Sequence, residues 1–287
     1  MIADAHIHFF SHRFFSALPG SESLSWELPG PDSVELARRW VGELDRNHVD
    51  RAALIASVPG DEDSVTAAIA EYPDRFFGYF MCNPLAPDAG DRVEKALAAG
   101  LQGIGLFPAM HRYSIQDERV RPILKLVASR PRTIVFVHCG VLSVGVRKKL
   151  GLPSPFDMKY SNPIDLHAVA LEFPALPFVI PHFGAGYFRE ALMVGDLCSN
   201  IYLDTSSSND WVKYQTETLT LAQVFRRAVD VLGAQRLLFG TDSSWFPRGW
   251  VRTVYEAQSQ AVTDAGIHRS DAALIFGENL RRLLGGA

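Results

Sequence analysis

Eight times along the chain a short, continuously apolar run gives way to a segment with helical periodicity. The apolar runs are 2–9, 51–58, 76–82, 101–107, 133–138, 177–182, 201–205 and 236–241. Helical spacing follows at 33–47, 64–71, 91–99, 120–129, 164–173, 189–197, 219–232, 251–263 and 270–284. A strand with one wet face alternates apolar and polar residues, whereas a strand covered on both faces does not. The run 51–58, Arg-Ala-Ala-Leu-Ile-Ala-Ser-Val, is of the covered kind. Eight such strands with helices between them predict a (β/α)8 TIM barrel, distorted by long insertions, as a single domain over 1–287. An open nucleotide-binding sheet is disfavoured. No G-x-G-x-x-G follows the first strand and no G-x-x-x-x-G-K-S/T occurs.

Composition narrows the classes further. A net charge of −4 without a basic run argues against a nucleic-acid partner. Cys82, Cys139 and Cys198 are odd in number and far apart, which excludes a C-x-x-C zinc knuckle and speaks against a disulfide framework. No uninterrupted apolar stretch is long enough to span a bilayer, and with a strand pattern starting directly after Met1 no signal segment is expected. The expectation is a cytoplasmic protein whose partner is a small-molecule substrate, with no membrane partner and with homodimerisation left open.

In a barrel of this kind the chemistry sits where strands end and loops begin. The first strand, Ile-Ala-Asp-Ala-His-Ile-His-Phe, carries His6 and His8 two apart, so both project to one face. The fifth strand ends at His138, the sixth at His182, and the eighth runs into Asp242. Singly, each has a plain structural explanation: a buried histidine, a helix-capping aspartate, a surface His-x-His. Jointly, all five reach the same rim. Histidine nitrogens with a carboxylate suit a divalent transition metal that keeps a position open for water. The insertions 10–32 and 141–163 are long enough to act as lids. Phe9, Phe10, Phe14, Phe15, Trp26, Trp211 and Trp245 offer aromatic lining, and Arg13, Arg112 and Arg147 offer carboxylate clamps. Substrate contacts are expected from Phe10, Arg13, Arg112 and Trp245, and an aromatic or unsaturated carboxylic acid is the expected ligand class.

The motifs Asp-Ala-His-Ile-His (4–8), Val-His-Cys-Gly (137–140), Pro-His-Phe-Gly (181–184) and Phe-Gly-Thr-Asp (239–242) together resemble the metal-dependent amidohydrolase superfamily. The resemblance spans the chain. It is nearest to the amidohydrolase-related branch that includes aminocarboxymuconate-semialdehyde decarboxylase and dicarboxylate lactonases. It implies that His6, His8, His138 and Asp242 ligate one divalent ion, usually Zn2+, with Mn2+ or another metal as alternatives. It also implies that His182 stays off the metal to orient water or polarise substrate, and that Asp242 and His182 are the catalytic pair. Two-metal relatives bridge their ions through a lysine or glutamate near the fourth strand. Gly-Ile-Gly-Leu-Phe (103–107) has neither, so one metal is expected. The reaction expected is hydrolysis of a C–O or C–N bond, with non-oxidative decarboxylation as the alternative and a non-catalytic binding barrel third. A deaminase is disfavoured, because Cys139 and Phe183 stand where its acidic proton shuttle belongs.

Overall fold

Every expected strand is present in the computed structural model, which describes residues 1–285. The strands are β1 (Ala3–Phe9), β2 (Arg51–Ala56), β3 (Phe76–Cys82), β4 (Gly103–Leu106), β5 (Ile134–Val137), β6 (Phe178–Ile180), β7 (Ile201–Asp204) and β8 (Leu237–Leu238). They pair in chain order and all in parallel. The ring closes just beyond β8. Ile7 bridges Ser243, the Ala5 amide donates to the Phe239 carbonyl at 2.7 Å, and the His8 amide donates to the Ser243 carbonyl at 2.8 Å. The architecture is the expected (β/α)8 barrel; the last two residues of the expected 1–287 domain lie outside the described residues.

Alternation along the strands divides the apolar residues into two layers. Leu54, Ile104, Val135, Ile180 and Leu203 pack outward beneath the helices. Ile55, Phe77, Tyr79, Phe136, Val179 and Leu238 fill the barrel, and Leu280 and Leu284 of the last helix join this inner set. In β1 the phase of the alternation changes. Ala3 and Ala5 belong to the inner set, yet Ile7 and Phe9 belong to the outer one. The cause is a β-bulge: Asp4 pairs with Ala52 and Ile7 with Leu54, so one extra residue is accommodated between them. A bulge re-aims the side chains that follow it. Here it turns His6 and His8 into the barrel.

Three departures from the sequence expectations concern the termini of elements. The insertion 10–32, expected as a loop, opens with a helix at His12–Ser16, whose N-cap Ser11 accepts the Phe14 amide at 3.2 Å. The insertion 141–163 contains a short helix, Gly145–Lys149. The final helix, expected unbroken over 270–284, is split into Arg269–Ala273, a π-turn at Leu274–Glu278, and Asn279–Leu284. The break falls at Gly277, whose backbone is extended at φ 177°, while buried Asn279 donates to the carbonyls of Ala234 and Leu237 at 2.8 Å each.

Above the rim the insertions share a small core of their own. Phe10, Phe14, Phe15 and Val146 are buried together, with Leu24, Trp26, Val58 and Trp245 against them. Among the described residues no helix is long and apolar enough to cross a membrane.

Candidate metal centre

His6 and His8 stand edge to face, ring centroids 5.0 Å apart, as their spacing in one strand predicts. The hydrogen bonds of their outer nitrogens fix which ring atoms are left to face each other. His6 Nδ1 lies 2.7 Å from the buried Asp204 carboxylate, which only accepts, so this nitrogen carries the hydrogen. His8 Nδ1 lies 2.7 Å from Ser57 Oγ, whose own hydrogen goes to the Ile55 carbonyl at 2.8 Å. His8 Nδ1 is therefore a donor too. In the neutral rings both Nε2 atoms are left as lone pairs, 3.3 Å apart. Asp242 Oδ1 completes a triangle, 3.6 Å from His6 Nε2 and 3.3 Å from His8 Nε2.

Three lone-pair donors converging without a hydrogen among them repel unless a cation joins them. Ligands of a tetrahedral zinc, each about 2.0–2.1 Å from the ion, sit about 3.4 Å from one another. The triangle has those edges, and its members form a close group able to hold a metal ion. The field at this point is negative. Burial disfavours a charged His6, but Asp204, Asp242 and Asp4 outweigh it and raise the ring's pKa. Burial works against an ionised Asp242 as well, yet its histidine neighbours, His8 first and then His6 and His182, hold its carboxyl far below the usual range. For His8 burial prevails over the pull of Asp242, and its pKa is lowered.

Asp242 reaches the triangle through an unusual backbone. It sits in the left-handed region at φ 59°, which aspartate tolerates better than most residues, and its amide donates to the His6 carbonyl at 3.0 Å. Gly240 ahead of it permits the close approach of β1, β7 and the segment after β8. A Cβ there would lie 2.9 Å from the Cβ atoms of both His6 and Ser206. Asp4 secures the same segment from below, accepting from Thr241 Oγ1 at 2.6 Å and Trp250 Nε1 at 2.7 Å. Burial pushes the Asp4 carboxyl up to about 6 against the pull of these donors.

His138 and His182 flank the triangle. The His182 ring is 5.1 Å from His6 and 5.3 Å from His138, and His138 in turn stacks on Phe107 at 5.6 Å. His138 stands outside the close group of three. Its Nδ1 is buried and has no hydrogen-bond partner, an orphaned ligand-type atom. Burial, reinforced by His182 and His6, pushes its pKa well below the ordinary value, which leaves it a neutral lone-pair donor. Burial lowers His182 likewise. His182, Phe183 and Ala185 all have left-handed backbones, and the turn they form presses on Gly140, where a Cβ would lie 2.2 Å from the Gly184 carbonyl oxygen. The donor set thus fits a divalent ion held by His6, His8 and Asp242, with His138 beside them.

The histidines and Asp242 line a cavity of about 1050 Å³ under the insertions. Phe10, Arg112 and Trp245 are in its wall, as expected, and so are Phe14, Trp26, Arg147 and Trp211. Arg13 is not. One residue before Phe14 on the His12–Ser16 helix, it points about 100° away, and its guanidinium lies where a Gly60 Cβ would come within 2.8 Å. Phe9 faces the outer layer and Phe15 the cap core, so neither lines the cavity. Lys148, Lys149, Lys213 and Arg248, not expected from the sequence, are also in the wall, and Asp204, Ser206 and Ser57, equally unexpected, hold the histidines from behind. Asp204 and Ser57 end or follow β7 and β2, the same positional signal that exposed His138 and Asp242.

The pattern of the family described as Amidohydrolase matches residues 3–286, and the chain belongs to that family. Over 144 residues, 49% of this chain, it is 29% identical to Protein fluG of Emericella nidulans, and it spans 15% of that protein's length. Among the solved structures that share the fold are the following two. A probable 2-pyrone-4,6-dicarboxylic acid hydrolase of Acinetobacter baumannii, with citric acid bound, has a TM-score of 0.67 at 16% identity, over 99% of each chain. The 5-carboxyvanillate decarboxylase of Novosphingobium aromaticivorans, with manganese bound, has a TM-score of 0.67 at 16% identity, over 99% of this chain and 97% of that one.

Proposed function

We propose that this amidohydrolase-family chain is a one-metal hydrolase of a small carboxylate-bearing substrate, cleaving a C–O or C–N bond. The observation that carries the reading is the convergence of His6 Nε2, His8 Nε2 and Asp242 Oδ1, without a hydrogen among them, in the wall of a basic cavity. His6, His8, Asp242 and His138 would hold one divalent ion, zinc or manganese, which when bound supplies the Lewis acidity that makes water nucleophilic at neutral pH. Asp242, kept ionised, accepts the proton of the attacking water and returns it to the leaving group. His182 is the second proton-handling group beside it.

The wall suits an anion. Arg112, Arg147, Lys148, Lys149, Lys213 and Arg248 line the cavity against only two carboxylates, Asp210 and Asp242, in a chain whose net charge is −4. Arg112 and Arg147 are anchored on the carbonyls of Pro155 and Pro153, at 2.9 Å and 2.7 Å, so they reach the cavity as preset groups. Aromatic faces from Phe10, Phe14, Trp26 and Trp245 supply the apolar part of the site.

Decarboxylation is the second reading. The same proton-moving pair can protonate carbon as CO₂ departs, and one of the fold neighbours bears a decarboxylase's name. A panel of lactones, amides and unsaturated carboxylic acids, assayed with CO₂ detection, separates the two. Ring opening or amide cleavage that is lost on chelation and restored by metal supports hydrolysis. CO₂ release from an unsaturated acid without hydrolysis overturns it.

A further inference from the structure

After β5 the chain leaves the barrel and returns, and both ends of this excursion are pinned. The Gly140 amide donates to the Ser161 carbonyl at 2.8 Å, the Val141 amide to the Ala185 carbonyl at 2.9 Å, and the Asp157 amide to the Ala109 carbonyl at 2.9 Å. Residues 142–156 in between are tied differently. Their backbone hydrogen bonds join them only to one another: Lys148 to Val144, Leu150 to Val146, Gly151 to Lys148, Leu152 to Arg147 and Phe156 to Ser154. Among the described residues one hydrogen bond reaches this strap from outside, from Arg112 Nη2 to the Pro155 carbonyl at 2.9 Å.

Apolar contact and one cation hold the strap down. Val146 is buried in the cap core with Phe10, Phe14 and Phe15, and Val144 and Leu150 pack beside it. Val146 and Leu150 are four apart across the Gly145–Lys149 helix, so they share its face toward the cap core. Lys149 Nζ lies 5.8 Å and 5.7 Å from the ring centroids of Trp26 and Trp245, which stack on each other at 4.0 Å. Beyond the helix, Gly151 is left-handed at φ 67° with open space where a Cβ would stand.

The side facing the cavity is charged. Arg147, Lys148 and Lys149 are in the cavity wall, and among the described residues none of them is paired with a carboxylate. A segment with few apolar anchors and no backbone bonds to its surroundings opens at a lower free energy than the barrel beneath it. An anion in the cavity meets the three cations only when the strap is closed, and a ligand that favours one of two states shifts the population to it.

We propose that residues 142–156 open as one unit between their pinned ends, and that an anionic ligand in the cavity draws them shut through Arg147, Lys148 and Lys149. The strap thereby selects ligands by charge, because a neutral molecule of the same shape gives the three cations nothing to close on. That the natural ligand is an anion rests on the carboxylate-substrate reading above. The independent opening of the strap does not.

Amide hydrogen exchange on the full, metal-containing chain tests both parts. Without ligand, the amides of Lys148, Leu150, Gly151 and Leu152 are expected to share one protection factor, about 10²-fold or more below that of β4 and β5. Strap amides as protected as the strands overturn the proposal. Phthalate, an aromatic dicarboxylate, is expected at ten times its Kd to slow these amides about 10-fold, and its neutral counterpart phthalamide is not. No slowing by phthalate, or equal slowing by phthalamide, overturns the coupling to charge. Val146→Ala loosens the apolar hold and is expected to speed strap exchange about 10-fold with β4 and β5 unchanged; strap exchange left as in wild type contradicts the proposal. The triple variant Arg147→Gln/Lys148→Gln/Lys149→Gln is expected to abolish the phthalate effect, and full retention of it refutes the role of these cations. If Val146→Ala does not fold, the wild type and the triple variant decide. If no substrate in the panel turns over, the hydrolase reading fails while exchange still tests the strap.

Discussion

At the scale of single residues the site depends on groups whose hydrogens are committed elsewhere. Asp242 is the clearest case, since its carboxylate faces two bare Nε2 atoms and its left-handed backbone is one that asparagine also tolerates. Asp242→Asn is therefore expected to keep the fold, by circular dichroism, while metal-replete protein loses turnover by about 10²- to 10⁴-fold, the contribution typical of a general base. Retained turnover would refute its proton role. The catalytic candidates were legible in the sequence because one positional rule, polar residues at C-terminal strand ends, finds them. Applied to β7 and β2, the same rule would have found Asp204 and Ser57. Arg13 shows where sequence stops informing. Whether it or Phe14 faces the cavity is set by a five-residue helix too short to have a readable period.

At the scale of elements, β1 is the part whose behaviour the sequence conceals. The His-x-His spacing places both rings on one face, but which face depends on the bulge before Ile7, a matter of pairing with β2 that no residue in 3–9 announces. Strand existence was readable from the apolar runs. Strand length was not, because pairing stops where a neighbour ends: β8 contributes only Leu237–Leu238 to the sheet, and the ring closes through Ser243. The convergence of β1, β7 and the segment after β8 relies on Gly240. Gly240→Ala places a methyl 2.9 Å from His6 Cβ and Ser206 Cβ. The backbone shift this forces is expected to cost about 1–3 kcal/mol, read as a lower denaturation midpoint, together with weaker metal binding. An unchanged midpoint and unchanged affinity would show that the strands do not meet there.

At the scale of the molecule, the barrel separates stability from chemistry. Its outer layer and inner plug are apolar, while the left-handed residues His182, Phe183, Ala185 and Asp242 and the cations that line the cavity gather at the rim. The eightfold rhythm made this architecture readable, because a closed ring of covered parallel strands has few alternatives. The insertions were readable only as long and aromatic; that they build a second core around Val146 follows from contacts between segments far apart in the chain. The central claim is that the rim of this barrel holds one divalent ion on His6, His8 and Asp242, with His138 beside them. Elemental analysis of the purified chain, alongside its His6→Ala/His8→Ala variant, tests it most directly. The account predicts one equivalent of zinc or manganese per wild-type chain and none in the folded variant. Equal metal content in the two proteins would contradict it.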